Sequence, residues 1–318
     1  MKKSTKIGWY FLIVILVYFL LGFASAFIPD RMKTTNFSYL FGQLSIFIPI
    51  VIFFIATKGE MLRQIPFKKI KIENGIILVI FAWVCMPVAS FLNVISMMFA
   101  DNHVAGTIDS LMDNMFIVNL LMIAVLPAVF EEIAYRGIVF YGLRDYGVIA
   151  AVVVSGVLFG LNHMNLNQFL YACLLGMVFA LMDEASGSIL ASMVMHFVFN
   201  INTVLAIEMY KLMPYIEKMT GESVAEETTQ VATNLSAYPL QTKLIMVAVY
   251  GVIAIAAVII NSKIFVWYSK RCGRWEHIKE CFRDAKEGFK KGENGSIISI
   301  PTVAGAIVCI AVMVLEFV

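Results

Sequence analysis

Long apolar segments constrain the fold of this chain more than any other feature of its sequence. Runs of about 18 residues or more recur along its length, and they lack the strict alternation of barrel strands. With 60% hydrophobic and 14% charged residues, the chain is too apolar for an ordinary soluble enzyme. The sequence therefore predicts an all-α fold, a polytopic transmembrane helical bundle of about eight to nine spans.

Basic residues between the spans predict how the bundle lies in the membrane. Lys2, Lys3 and Lys6 precede the first span, and further lysines and arginines gather in the segments 58–74 and 263–291. The positive-inside rule places these segments and the N-terminus on the cytoplasmic side of a multi-pass cell-membrane protein, and the short loops favour a bacterial plasma membrane. The first apolar run is longer than the hydrophobic region of a signal peptide, so we expect it to be retained as a span.

The segment 263–291 interleaves its positive charges with Trp267, Tyr268 and Trp275. Juxtamembrane clusters of this composition usually bind anionic lipid headgroups. A net charge of only +2 gives the whole chain no general attraction to nucleic acid. Anionic lipid is therefore the expected partner of the basic loops, and nucleic acid is not expected to bind.

The spans fall into three regions. Residues 1–114 hold spans one to three with a basic loop, and residues 211–318 hold an outer loop at 211–238, spans eight and nine, and the second basic loop. Residues 115–210 hold spans four to seven, and the polar groups that suggest chemistry lie there. This middle region is the expected catalytic core.

Two adjacent glutamates and an arginine lie inside span four, an apolar run from Met115 to Tyr141. A charge at bilayer depth costs at least ~2.5–3.5 kcal/mol, so such residues usually face a protein interior and serve a function. Glu132 and Arg136 are four residues apart and can pair on one helix face. Glu131 is turned about 100° away and is left free for another partner. The spacing predicts one structural and one chemical carboxylate.

Spans five and seven carry further polar groups at regular spacing. Phe159 and His163 are four residues apart, which places an aromatic ring one helical turn from an imidazole. His196 and Asn200 share this spacing and project from one helix face. Each of these residues alone is consistent with a hydrogen bond between helices. Carboxylates, a guanidinium, imidazoles and an amide on three spans together favour an acid–base site.

Two hydrolytic chemistries use such a set of side chains. A carboxylate with an imidazole can activate a water for attack on a peptide carbonyl, with His196 and Asn200 as donors to the oxyanion. Alternatively, Glu131, His163 and His196 could hold a zinc ion that lowers the pKa of its bound water. The sequence contains no HExxH motif, the usual single-helix zinc protease signature, and it leaves both chemistries open.

In order and spacing, the polar motifs resemble those of the CAAX-processing and bacteriocin-processing membrane protease family, also called the CPBP or Abi family. The resemblance covers about Met115 to Tyr210 and rests on three motifs: Glu131-Glu132-x-x-x-Arg136, Phe159-x-x-x-His163 and His196-x-x-x-Asn200. It implies that Glu131 activates the attacking water with help from His163. It further implies that His196 and Asn200 bind the oxyanion and that Glu132, Arg136 and Phe159 support the site.

The resemblance implies an intramembrane endopeptidase acting on a membrane-associated peptide or protein. Family members have been described both as metalloproteases and as glutamate-dependent proteases, so the resemblance leaves zinc open. Eukaryotic members cleave prenylated CAAX proteins, whereas bacterial members act on varied peptides or serve in bacteriocin immunity. Two other functions are compatible with the sequence: a non-catalytic immunity or partner-binding protein, and a cation-coupled transporter, although no internal repeat is obvious.

Overall fold

The computed structural model describes residues 1–100, 102, 108–220, 235, 238–286 and 295–315. This part of the chain is a helical bundle, which confirms the predicted fold class. Seven of its helices are long and apolar enough to cross a membrane, and two shorter apolar helices accompany them. In chain order the helices are α1 (Lys3–Ser25), α2 (Thr35–Ala56), α3 (Ile72–Ser96), α4 (Phe116–Tyr146), α5 (Val148–Asn162), α6 (Leu166–Ser186), α7 (Leu190–Thr220), α8 (Leu240–Arg271), α9 (Trp275–Arg283) and α10 (Ile300–Leu315).

Helices α7 and α8 continue beyond their predicted ends. Helix α7 runs to Thr220, so the start of the expected outer loop at 211–238 is helical, whereas positions 221–234 lie outside the described residues. Helix α8 runs to Arg271 and includes the first basic residues of the segment 263–291, of which positions 287–291 are likewise not described. Lys270 and Arg271 occupy the last turn of α8, where positive charge favours the helix dipole.

Two π-helical segments, Leu120–Val125 and Ile133–Phe140, interrupt helix α4. Pro127 follows the first of them and has no N–H to donate to the helix. The α-helical stretch between the two segments, Leu126–Glu132, ends with the glutamate pair. Such π segments frequently occur at functional sites, and here they lie on both sides of the two carboxylates.

Helices α5 and α6 form a hairpin that places His163 at a helix end. Helix α5 has 15 residues, so it is about 22 Å long and shorter than a hydrocarbon core of about 30 Å. His163 caps its C-terminus, and Met164 then takes a positive φ of 46° before α6 begins. Helix α5 begins at Val148, and the chain reverses direction directly after His163.

Glycines allow α5 and α6 to approach closely. A Cβ atom on Gly156 would lie 2.8 Å from the carbonyl oxygen of Cys173, and one on Gly176 would lie 2.8 Å from the Cα of Gly156. Both neighbours are backbone atoms, so a larger residue at either position would force the helices apart. The close contact fixes the part of α5 that carries Phe159 and His163.

The remaining helices pack around this hairpin. Helix α3 lies against α6, α7 and α8, while α1 lies against α2 and α10. Helix α4 contacts α2, α5 and α7. Helix α4 is further tied to α5 by the Ser155 hydroxyl, which donates to the carbonyl oxygen of Tyr135 at 2.7 Å. The middle of the bundle is therefore enclosed by helices from all parts of the first 220 residues.

Candidate active site

A cavity of about 260 Å³ lies where helices α2, α4, α5, α6 and α7 meet. Its wall contains all four residues predicted to be catalytic, together with Phe159: Glu131, His163, His196 and Asn200. Side chains that are up to 69 positions apart in the sequence thus share one polar pocket inside an apolar bundle. The expected spatial grouping is present, and the catalytic role of each residue stays a prediction.

The two adjacent glutamates have different environments. Glu132 is fully buried, and its Oε2 lies 3.1 Å from Nε of Arg136, as the four-residue spacing predicts. Glu131 lines the cavity with 14% of its side chain exposed, and it accepts no hydrogen bond from the residues that the structure describes. The structure thus pairs Glu132 with Arg136 and turns Glu131 toward the cavity, and the structural and chemical roles of the two carboxylates stay a prediction.

His196 connects the two glutamates. Its Nδ1 lies 2.6 Å from Oε1 of Glu132, and its Nε2 lies 3.8 Å from Oε2 of Glu131. Because an ionised carboxylate can only accept, Nδ1 carries a proton and donates it to Glu132. The hydrogen bond fixes the orientation of the imidazole ring and leaves Nε2 on the side of Glu131.

Phe159 connects the buried guanidinium to the two histidines. The Cζ atom of Arg136 lies 4.3 Å from the centroid of the Phe159 ring and 5.1 Å from that of Phe179. The Phe159 ring also makes edge contacts with His163 at 5.0 Å and with His196 at 5.9 Å. A desolvated cation–π contact contributes about 2 kcal/mol or more, so Phe159 stabilises Arg136 while packing against both imidazoles.

His163 presents one ring nitrogen to the cavity. Its Nδ1 lies 2.9 Å from the carbonyl oxygen of Phe159. A carbonyl oxygen only accepts, so Nδ1 carries the proton and Nε2 of the neutral ring has a lone pair. In this form the imidazole can accept a hydrogen bond from a water in the cavity.

Asn200 lies one helical turn after His196 and faces the same cavity. Its side-chain amide is partly exposed to the cavity and has no hydrogen-bond partner among the described residues. A free amide N–H beside a carboxylate and two imidazoles is a suitable donor to a developing negative charge. The geometry is thus compatible with the predicted oxyanion role.

Helices α2 and α6 contribute cavity residues that the sequence analysis missed: Tyr39, Gln43, Gln168 and Tyr171. Gln43 is only 7% exposed, and its Oε1 has no hydrogen-bond partner in the described part of the chain. In the sequence, Tyr39 and Gln43 could have been recognised as facing one side, because they are four residues apart within an otherwise apolar span.

Asp183 is a further residue that the sequence analysis did not include and that supports the site. It is fully buried near the end of α6, and its Oδ1 accepts the backbone N–H of Ser192 at 2.8 Å. Ser192 lies in the first turns of α7, the helix that carries His196. The hydrogen bond therefore fixes the start of α7 relative to α6.

The three residues proposed as zinc ligands, Glu131, His163 and His196, border one cavity but do not fit a metal ion as arranged. Across the described ranges, no three His, Cys, Asp or Glu side chains form a group that could hold one. Both histidines have Nδ1 hydrogen-bonded, one to a carboxylate and the other to a backbone carbonyl, which leaves Nε2 of each ring as the nitrogen that could bind a ligand.

Comparison with known proteins gives a family match for the central segment of the chain. Residues 113–202 match the family model described as Type II CAAX prenyl endopeptidase Rce1-like. No curated protein and no solved structure gave a match to this chain. The matched residues include all three motifs around the cavity, which confirms the family resemblance seen in the sequence.

Proposed function

We propose a specific reaction for this multi-pass membrane protein, whose residues 113–202 match the CAAX prenyl endopeptidase model. The protein is an intramembrane endopeptidase that hydrolyses a peptide bond of a membrane-associated substrate with a water activated by Glu131. The observation that carries the proposal is the carboxylate of Glu131, which faces a polar cavity inside the bundle and accepts no hydrogen bond from the described residues. A partly desolvated carboxylate of this kind is suited to general base catalysis.

Glu131 and His163 act on the same water. Glu131 takes a proton from it, and the water oxygen attacks the carbonyl carbon of the scissile bond. The lone pair on Nε2 of His163 accepts a hydrogen bond from the second hydrogen of this water and orients it. The C–N bond then breaks as Glu131 returns its proton to the leaving nitrogen, which yields a carboxyl group and an amine and regenerates the Glu131 carboxylate.

Asn200 and His196 stabilise the oxyanion. The Asn200 amide donates directly, whereas Nε2 of His196 donates only when the ring carries a second proton, because Nδ1 already donates to Glu132. The mechanism therefore requires the imidazolium form of His196 in the transition state, with Glu132 as its counter-charge. Arg136 holds Glu132 from the opposite side.

Gln43 binds the substrate backbone beside the scissile bond. Its buried Oε1 is an acceptor without a partner, and a bound peptide brings backbone N–H groups into the cavity. Accepting one of them would satisfy both buried groups. This residue lies on α2, outside the segment that matches the family model.

The basic end of the bundle faces the cytoplasm in this proposal. Helix α3 begins and helix α8 ends at this end, next to the lysines and arginines that the positive-inside rule places inside the cell. The N-terminus then lies in the cytoplasm as well, and a bacterial plasma membrane is the proposed location.

Cleavage of a library of membrane peptides in liposomes tests the reaction. Wild type and Glu131→Gln are compared with and without a metal chelator, and thermal unfolding checks that both proteins are folded. We expect the wild type to cleave peptides equally with chelator, and Glu131→Gln to lose cleavage. Equal cleavage by the variant would refute the assignment. Inhibition by chelator would favour the zinc mechanism, and absence of cleavage by either protein would favour a non-catalytic immunity or partner-binding function.

A further inference from the structure

A second polar cavity, of about 510 Å³, lies at the basic end of the bundle, away from the candidate active site. It is bordered by the segment before α3, by the turn between α6 and α7, and by the end of α8. Its lining contains no aspartate or glutamate. It does contain four cationic residues: Lys68, Lys69, Lys71 and Arg271. A cavity with this lining attracts anions.

The positive charge of this cavity is mostly uncompensated. Arg271 pairs with Glu73 and also donates from Nε to Oδ1 of Asn74 at 2.7 Å. Lys68, Lys69 and Lys71 have no acidic partner among the residues described in the structure. Three ammonium groups thus surround the opening, all with hydrogen-bond donors available to a ligand.

Tyr268 supplies a buried donor at the cavity wall. Its side chain is fully buried, yet its hydroxyl meets no oxygen or nitrogen partner in the described structure and has only the weak sulfur acceptor of Cys272 nearby. An unsatisfied buried hydroxyl costs about 1–3 kcal/mol. A ligand oxygen in the cavity would accept this hydrogen bond.

The start of helix α3 adds to the positive potential. This 25-residue helix begins at Ile72, and the residue before it, Lys71, provides no side-chain cap. Uncapped N–H groups at a helix N-terminus favour binding of an anion. The negative charge of Glu73 in the first turn offsets part of this effect, and Glu73 is itself paired with Arg271. The lysines, the tyrosine hydroxyl and the helix start therefore favour the same kind of ligand.

We propose that this cavity binds a phosphate-bearing group, in particular the headgroup of an anionic phospholipid. Lysine ammonium groups and a tyrosine hydroxyl are suitable donors to phosphate oxygens, and free phosphate offers the same chemistry. The location favours the lipid, because α3 and α8 are apolar spans that meet the cavity at their ends. The general lipid contact expected from the basic loops thereby becomes one defined site.

A bound headgroup would also stabilise the helix that carries His196. The backbone N–H of Ile189 donates to the carbonyl oxygen of Pro66 at 3.0 Å, and the Ser188 hydroxyl donates to that of Lys68 at 2.6 Å. These bonds join the lysine segment to the start of α7. Headgroup binding is therefore expected to raise the unfolding temperature of the protein.

The test uses the full-length protein in phosphatidylcholine nanodiscs, with phosphatidylglycerol or inorganic phosphate added as the probe. Binding is measured by native mass spectrometry and by the shift in unfolding temperature. The double variant Lys68→Gln/Lys71→Gln is compared with Lys263→Gln/Lys270→Gln, which removes equal charge from the same end of α8 outside the cavity. We expect phosphatidylglycerol affinity to fall about 30-fold in the first variant and to change little in the second.

Tyr268→Phe keeps the buried ring and removes only the donor, so it is expected to weaken phosphatidylglycerol binding several-fold. If inorganic phosphate binds, and its affinity falls in the Lys68→Gln/Lys71→Gln variant only, the cavity is a phosphate site whose ligand is free phosphate. Equal loss in both lysine variants would overturn the proposal, because it would indicate general surface attraction. Absence of binding by either probe would overturn it as well. None of these variants changes a residue of the candidate active site, so the result is independent of the proposed hydrolysis.

Discussion

Two buried carboxylate networks in this bundle have similar composition and different accessibility. At the basic end, Oε1 of Glu184 lies 2.9 Å from Arg144, 2.6 Å from Arg274 and 2.6 Å from His277. In the interior, Glu132 is held by Arg136 and His196 in a comparable way. Among the described residues, the interior network also adjoins Glu131, a second carboxylate that faces a cavity and accepts no hydrogen bond.

The difference shows that glutamate, arginine and histidine together do not define a catalytic site. The three side chains around Glu184 come from the end of α4, from the residue before α9 and from α9, so this network fastens those elements to α6. At its edge, burial raises the pKa of the Cys281 thiol, which lies 3.5 Å from Nε2 of His277. Glu184 has its Oε1 engaged by three side chains and stabilises structure, whereas Glu131 accepts no hydrogen bond from the described residues and retains the capacity to accept a proton.

Replacing one histidine in each network sharpens this comparison. His163→Ala removes the nitrogen that orients the water, and we expect kcat to fall by about 10²–10⁴-fold. His277→Ala removes a contact from the Glu184 network, and we expect its kcat to stay within about threefold of wild type. Peptide cleavage in liposomes measures both variants. Similar losses in the two would show that the networks do not differ in function.

Replacing Gln43, the hydrogen-bond acceptor that α2 places in the cavity, is expected to have a smaller effect on cleavage. Gln43→Leu keeps the volume of the side chain and removes the proposed hydrogen bond to the substrate, so kcat/KM should fall about 3–10-fold. The matched control is Gln241→Leu on the exposed start of α8, which should leave kcat/KM unchanged. An unchanged kcat/KM for Gln43→Leu would remove this residue from substrate binding.

Local spacing predicted those parts of the site that depend on one helix. The four-residue separations of Glu132 from Arg136 and of Phe159 from His163 each correspond to a contact in the structure. The apolar runs likewise predicted the helical bundle. These features follow from helix periodicity and from the cost of exposing charge to lipid, both of which are readable from sequence.

Features that depend on tertiary packing were not predictable in the same way. The hairpin after His163 results from close contact of α5 and α6 at Gly156 and Gly176, which no periodicity reveals. Gln43 reaches the cavity because α2 packs beside α4. The Glu184 network depends on α9, whose position relative to α6 is set by folding of the whole chain.

The most direct test of the account compares Glu131→Gln with Glu184→Gln in one preparation, with cleavage rate and unfolding temperature measured for each. We predict that Glu131→Gln loses about 10³-fold or more in kcat with little change in unfolding temperature. Glu184→Gln should keep kcat within about threefold and unfold about 5 °C lower, because it weakens a buried ionic network. Retained cleavage in Glu131→Gln, or an equal loss of cleavage in Glu184→Gln, would contradict the claim that the cavity carboxylate of Glu131 performs the chemistry.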